Sequence, residues 1–403
     1  INLAALGYYK YANFFVDNVN ALFGLDLFLA TIVLPIGISF FTFQKVAFLV
    51  DLYQHKITKF NLLDYALFVT FFPQLIAGPI VHHSEVIPQF ARLGKVPISD
   101  IVLGITIFII GLSKKVLLAD NAALYVSPQI DAVFNGAHLD LLAAWSTMLA
   151  YTAQIYFDFS AYSDMAIGIG LLFGIRLPVN FDSPYKSLGI IEFWRRWHIT
   201  LSRFLRDYLY IQLGGNRKGP SRRYLNLYMT MVIGGIWHGA GWTFLIWGAL
   251  HGIYLIINHG WHAFLRIFSL ETVAKTRLFI SFSWLITFLA VVLAWVFFRA
   301  PNLDTALDIL SSMSGNYGLG AIDEHLEWVV PFGILLLAFI LPNTQQITCY
   351  VGPKGTYGTH LPQHTSELLR WKPSSSWALY VGVLLALCLM SLSQVSEFIY
   401  FQF

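Results

Sequence analysis

The sequence predicts an all-α polytopic membrane protein, a single helical bundle in which several helices are re-entrant or broken. Three observations predict it. Hydrophobic residues make up 57% of the 403 positions and charged residues 12%, with a mean hydropathy of +0.63, roughly half the charge of an ordinary soluble domain. Apolar runs long enough to cross the hydrocarbon, on the order of 20 residues each, recur along nearly the whole chain. The runs are continuous, whereas the strands of a membrane barrel alternate over about ten residues. Backbone groups in lipid must pair internally, and helices pair them.

In order, the spans are predicted at Leu25 to Val50, Leu62 to Val81, Ile98 to Leu118, Leu139 to Phe159, Tyr162 to Ile175, Leu225 to Gly239, Trp242 to Trp261, Leu278 to Phe298, Trp328 to Leu341 and Trp377 to Leu392. Several are too short or too interrupted for simple crossings. In Phe71-Phe72-Pro73-Gln74-Leu75-Ile76-Ala77-Gly78-Pro79-Ile80, two prolines and a glycine remove hydrogen bonds from an apolar run, which lipid tolerates only where protein or a watery cavity covers the gap. From Ser187 to Leu213, the positions Trp194, Trp197, Leu201, Phe204, Leu205 and Tyr208 follow the i, i+3, i+4 spacing of an amphipathic helix, either re-entrant or lying in the interface as a belt. The polar connections 82–97, 119–140, 186–223, 299–327 and 343–376 are expected at the surface. No soluble domain or repeat period interrupts the chain, so residues 1–403 read as one membrane domain. The chain starts at Ile1, with no initiator methionine and no basic n-region or cleavage site, so further N-terminal helices are expected to precede it.

Cys349 falls in a loop and Cys388 in a predicted span, which argues against a disulfide and excludes a thiolate metal site. The formal net charge of +3 says little about partners, and nucleic acid is not among those expected. Its distribution says more. Lys186, Arg195, Arg196, Arg203, Arg206, Arg217, Lys218, Arg222 and Arg223 face only Glu192 and Asp207 in the same stretch, which the positive-inside rule places in the cytoplasm.

Ionisable residues in apolar surroundings carry a solvation cost that packing does not justify, so they mark candidate chemistry. His238, among Gly234, Gly235, Gly239 and Gly241, sits where backbone or substrate can approach closely, and a neutral imidazole there can act as a general base. The alternative is a structural histidine bonding across helices. His198 follows Trp194, Arg195, Arg196 and Trp197, with Ser202 one helical turn on. Arginines beside an apolar channel hold phosphates in a fork geometry, suiting a phosphate-bearing donor arm, or they hold lipid headgroups. Asp158, within Gln154 to Met165, reads as an orienting partner for a histidine nitrogen. Both imidazoles are expected in a wet passage open to the two faces of the membrane.

Other chemistries are disfavoured. His82 and His83 are adjacent in a loop, while His251, His259 and His262 are helically spaced without a carboxylate set, so no metal site is expected. There is no GxSxG elbow, and Gly214-Gly215-Asn216-Arg217-Lys218-Gly219 lacks P-loop spacing. A transporter or channel for a small anion or glycan precursor remains the rival reading, since it would use the same broken helices and buried polar residues.

The motifs Tyr8 to Phe14, Leu34 to Phe40, Phe72 to Pro79, Tyr156 to Ser160, Phe193 to His198, Leu205 to Tyr210, Leu213 to Arg217, Trp237-His238-Gly239 and Tyr400 to Phe403 together resemble the membrane-bound O-acyltransferases. The resemblance is nearest to the bacterial branch of alginate and cellulose O-acetylation and teichoic-acid D-alanylation. One departure is Ala161, where many relatives have glycine. The resemblance implies helices around a central funnel, His238 as the catalytic residue and His198 as the second functional position. Trp194, Arg195, Arg196, Trp197, Ser202, Asp158 and Trp237 are expected to bind substrate or donor. It implies acetyl transfer from a cytoplasmic thioester, acetyl-CoA or an acyl-carrier phosphopantetheine, toward an extracytoplasmic polysaccharide, directly or through a partner, with no tightly bound cofactor. The expected setting is the bacterial inner membrane, multi-pass in lipid, with periplasmic or secreted acetyltransferase partners, a polysaccharide synthase complex and an acyl carrier protein.

Overall fold

The computed structural model describes residues 1–75, 78–91, 94–321, 329–353, 366–367 and 369–392. Long apolar stretches close their own backbone hydrogen bonds, and helices result; no strand occurs among the described residues. The first helix, α1 (Asn2–Phe23), lies outside the predicted spans because Lys10, Asp17 and several asparagines lower its hydropathy.

Those asparagines also overturn the first predicted span. Residues 25–35 form no regular secondary structure, and helix α2 (Ile38–Tyr53) begins only after Pro35 and Gly37, the latter at φ 75°. Asn20 brackets Leu27 with bonds of 2.9 and 3.0 Å, and Asn13 Oδ1 accepts from Ile32 at 3.1 Å. Side-chain amides on α1 thus satisfy backbone that would otherwise have to be helical.

Helix α3 (Leu62–Thr70) stops where the Pro-Gly-Pro run begins, and a 3₁₀ turn (Phe72–Gln74) follows. The break is covered by protein: Pro73, Gln74, Gly78, Pro79 and Ile80 are buried, and Gln74 Nε2 donates to Phe68 O at 2.9 Å. Positions 76–77 of that motif lie outside the described residues. Helix α4 (His83–Phe90) is capped by His82, with Glu85 completing the reciprocal bonds of a capping box.

Helix α5 (Ile98–Ser113) runs through a π-helical turn (Lys114–Ala119) into α6 (Asp120–Phe134). The next helix, α7 (Leu141–Leu172), is continuous for 32 residues, roughly 48 Å at the usual rise, where two separate spans are predicted. Its polar stretch does not interrupt it because partners neutralise it: Lys115 meets Asp158 at 2.7 Å, and Lys114 meets Asp164 at 2.8 Å. The widened turn lets these two adjacent lysines reach α7 at points six residues apart. Nearly all of α7 is buried, against α5, α6 and the later helices α12 (Arg277–Arg299), α13 (Leu303–Met313) and α14 (Val329–Ile340). Gly104 and Gly168 set the α5–α7 crossing, since a Cβ on either would stand 2.7 or 2.6 Å from the other's carbonyl oxygen.

The predicted amphipathic helix is two short helices, α8 (Ile190–Arg196) and α9 (Ile199–Leu205), followed by a π-helical turn (Arg206–Tyr210). The break falls at His198, in left-handed conformation at φ 42°. There the backbone leaves the helix to pair with the strand-like connection after α7: Asp182 N donates to Arg196 O at 2.9 Å and Ile199 N to Asn180 O at 3.0 Å. An interfacial belt is ruled out, because Trp194, Trp197, Leu201, Phe204 and Leu205 are at most 8% exposed. Helix α10 (Gly219–His238) then packs along α11 (Trp242–Ile267). Two further helices, α15 (Thr344–Thr348) and α16 (Ser375–Ser391), follow α14. By length and composition, Ile98–Phe134 and Arg277–Arg299 are the described helices able to cross a membrane unaided. The terminal motif Tyr400 to Phe403 and position Trp328 lie outside the described residues.

Candidate active site

His238 is the last residue of α10, and its place there is built from both sides. A helix C-terminus exposes carbonyls with no partner in the helix, and a cation is favoured beside them. Lys10 supplies it, its Nζ donating to Trp237 O and His238 O at 2.7 Å each, while Tyr11 donates to Ile236 O at 2.8 Å. The opposite face of α10 is pressed onto α11. A Cβ on Gly235 would lie 2.3 Å from Phe244 O, and one on Gly248 would lie 2.5 Å from Met231 O. Gly235, three residues before His238, therefore serves close helix approach.

The His238 ring is edge-on to Trp237, Trp247 and Phe298, with centroids 4.9, 5.0 and 5.1 Å away. Trp247 also stands edge-on to His251, so one indole touches both imidazoles. His251 is a functional candidate that sequence reading weighed only as a metal ligand. Its Nδ1 accepts from Trp194 Nε1 at 3.2 Å, and its ring meets Trp247 at 4.9 Å. Because Nδ1 accepts, the proton sits on Nε2, which is buried without a protein partner. The signal was the i, i+4 spacing of Trp247 and His251 on α11.

His198 is held differently. Asn180 Oδ1 accepts from Thr200 N at 3.2 Å, which fixes the amide's orientation, so His198 Nδ1, 3.1 Å from the same oxygen, carries the proton and donates. Nε2 is left with a lone pair, buried and without a protein partner. Phe159 stands edge-on at 4.7 Å and Phe181 stacks at 6.4 Å. The expected open passage to both rings is not formed by the described residues: His198 is 0% exposed and His238 5%. Asn180, which no motif singled out, does the orienting assigned to Asp158, and Asp158 is instead engaged by Lys115. A carboxylate at that depth needs a countercharge before anything else, and the π-helical turn delivers one.

The remaining predicted residues separate into two groups. Trp194, Arg195 and Ser202 line a cavity of about 340 Å³, together with Arg206, Arg223 and His259. Arg223 Nη2 lies 3.1 Å from His259 Nδ1, and Arg206 is paired with its neighbour Asp207 at 2.7 Å. Arg195 also lines an adjoining cleft of about 580 Å³. Arg196 faces elsewhere, bound to Glu192 at 2.8 Å. Trp197 is buried against Trp295 at 5.0 Å, and Trp237 stacks on Phe43 at 4.8 Å; both form the wall. Three cations thus ring a largely apolar cavity, and Trp194 is the side chain it shares with the histidine cluster.

The model of the membrane-bound O-acyltransferase family matches residues 20–298. A peptidoglycan O-acetyltransferase of Helicobacter pylori is 49% identical over 345 residues, covering 79% of this chain and 64% of that protein. A probable alginate O-acetylase, AlgI, of Pseudomonas putida is 40% identical over 425 residues, covering all of this chain and 83% of its own length. A teichoic acid D-alanyltransferase of Streptococcus thermophilus is 29% identical over 56% of the chain. The chain therefore spans less than two thirds of the first of these relatives. With a family match across most of its length, the chain belongs to the membrane-bound O-acyltransferase family.

Proposed function

We propose that the protein is an O-acyltransferase that carries an acetyl group from a cytoplasmic thioester to a hydroxyl on the far side of a bacterial inner membrane, for O-acetylation of a polysaccharide. The observation that carries this reading is the meeting, at Trp194, of a buried histidine cluster with an arginine-ringed cavity. The cavity has the arginines and the largely apolar lining to hold the phosphates and arm of acetyl-CoA or of an acyl-carrier phosphopantetheine. His238 takes the proton of the attacking hydroxyl as the new ester C–O bond forms, and the thioester C–S bond breaks to release the thiol. General-base assistance of this kind is worth about 10² to 10⁴ in rate. His198, enclosed and tied to Asn180, positions the donor side of the site.

The segment 186–223 faces the cytoplasm in this reading, by its excess of lysine and arginine. Of the acceptors considered from sequence, alginate draws support from the relative that covers the whole chain. The Helicobacter relative adds peptidoglycan, which sequence reading did not name, and cellulose has no such support. A periplasmic acetyltransferase and a polysaccharide synthase are the partners this route calls for.

Purified protein in proteoliposomes, supplied with acetyl-labelled coenzyme A on the arginine-rich face, tests the proposal. Label is expected on an acceptor polysaccharide or partner protein outside, and His238→Ala, shown folded by gel filtration, is expected to lose it. Full transfer by that variant would overturn the assignment.

A further inference from the structure

Among the described residues, outside the acyl-transfer site, the fold gathers a group of metal-competent side chains. Asp51 lies in the last turn of α2, and His82 caps and His83 begins α4. His82 Nε2 lies 2.8 Å and His83 Nε2 3.0 Å from the same carboxylate oxygen, Asp51 Oδ2, and the three ligand atoms all lie within 4.8 Å of one another. Tyr208 from the π-helical turn approaches that oxygen at 2.6 Å and His82 Nε2 at 2.6 Å.

This convergence exceeds what the local structure requires. Neutralising Asp51 takes one cation, and Lys56 provides it on the other oxygen at 2.9 Å. Seating the start of α4 takes one cap, which His82 and Glu85 already form. Yet both imidazole Nε2 atoms and the Tyr208 hydroxyl crowd onto Oδ2, at 2.8, 3.0 and 2.6 Å. A cation among them removes the crowding, because each imidazole then offers a lone pair instead of a proton.

We propose that Asp51, His82 and His83 form a divalent transition-metal site of the zinc type, with the fourth position facing the Tyr208 phenol. Two imidazole nitrogens and a carboxylate oxygen are a ligand set that zinc accepts, at about 2.0–2.2 Å each. Tetrahedral coordination at that distance spreads the ligand atoms to about 3.4 Å, a movement of roughly half an ångström from the distances observed. Metal on Nε2 moves the His82 proton to Nδ1, where Ser84 Oγ at 2.6 Å accepts it in exchange for the 3.3 Å cap bond from Ser84 N. Lys56, whose side chain is 59% exposed, is free to swing into water. A cleft of about 590 Å³, lined by His83, Ser84, Lys56 and Asp64, opens the site from one side. The metal would clasp α2 to α4, and α4 is itself joined to α9 by the two-pronged Glu85–Arg203 pair. Its role is a structural brace beneath the His198 segment.

The test uses the full chain in detergent, stripped with chelator and titrated with Zn²⁺ or Co²⁺. One equivalent per chain is expected by elemental analysis, and Co²⁺ is expected to give visible d–d bands typical of low coordination number. Asp51→Asn and His83→Gln, which keep side-chain shape, should each weaken binding by more than the roughly 100-fold that loss of an outer-shell bond causes. Cys349→Ser and the pair His259→Ala and His262→Ala should leave it unchanged. Absence of a stoichiometric equivalent, or an equivalent that survives Asp51→Asn and His83→Gln together, would overturn the proposal.

Discussion

Replacing Lys115 with methionine removes the countercharge of Asp158 and leaves a carboxylate whose side chain is 1% exposed in the middle of α7. At 2.7 Å and an effective dielectric constant of 20, the pair's attraction is about 6 kcal/mol before desolvation is subtracted. Breaking a buried pair by deleting one partner typically costs about 3–5 kcal/mol, because the survivor stays buried and charged. Asp120, the second partner of Lys115 at 2.8 Å, is 16% exposed and adds little to that loss. Lys115→Met is therefore expected to lose about 3–5 kcal/mol, and Lys115→Met with Asp158→Asn to regain more than half of it, since an amide carries no charge to strand. Equilibrium unfolding in mixed micelles, followed by circular dichroism, measures both, and acetyl transfer per folded molecule is measured beside it. A single variant within about 0.5 kcal/mol of the parent would refute the pairing argument. A well-folded double variant that has lost transfer would return Asp158 to the chemistry, as a group acting on a histidine.

Two further outcomes follow from the way His238 is seated. Lys10→Met deletes two 2.7 Å charge-assisted bonds at the end of α10 and should lower kcat on the order of 100-fold with KM little changed, whereas Lys10→Arg should recover part of it. A folded Lys10→Met protein with parental kcat would show that the clamp does not position the ring. Gly235→Ala, whose Cβ would stand 2.3 Å from Phe244 O, should cost about 1–3 kcal/mol in the same unfolding assay. Gly260→Ala, on α11 with open space around it, should be neutral or slightly stabilising; equal effects at the two positions would remove close approach as the explanation.

Sequence patterns foretold the Pro-Gly-Pro break, because prolines cannot continue a helix, and they singled out His198 and His238 because imidazoles are costly in apolar surroundings whatever the neighbours. Periodicity misjudged the run from Ser187 to Leu213. Its spacing suits one helix, but Asn180 and Asp182 offer the backbone at Arg196 and Ile199 other partners, and those come from a loop the pattern does not see. The run Leu25 to Val50 failed for the same reason, with Asn13 and Asn20 as the competing partners.

Hydropathy and run length suffice for a helical chain in lipid, since the cost of an unpaired peptide group there is paid residue by residue and can be counted along the sequence. Pairing of polar side chains is a different kind of quantity. Asp158 with Lys115, His198 with Asn180, Lys10 with the end of α10, and Asp51 with His82 and His83 join positions 18 to 228 residues apart. Each depends on how segments distant in sequence pack together, as α5 does on α7 around Gly104 and Gly168 to bring Lys115 to Asp158.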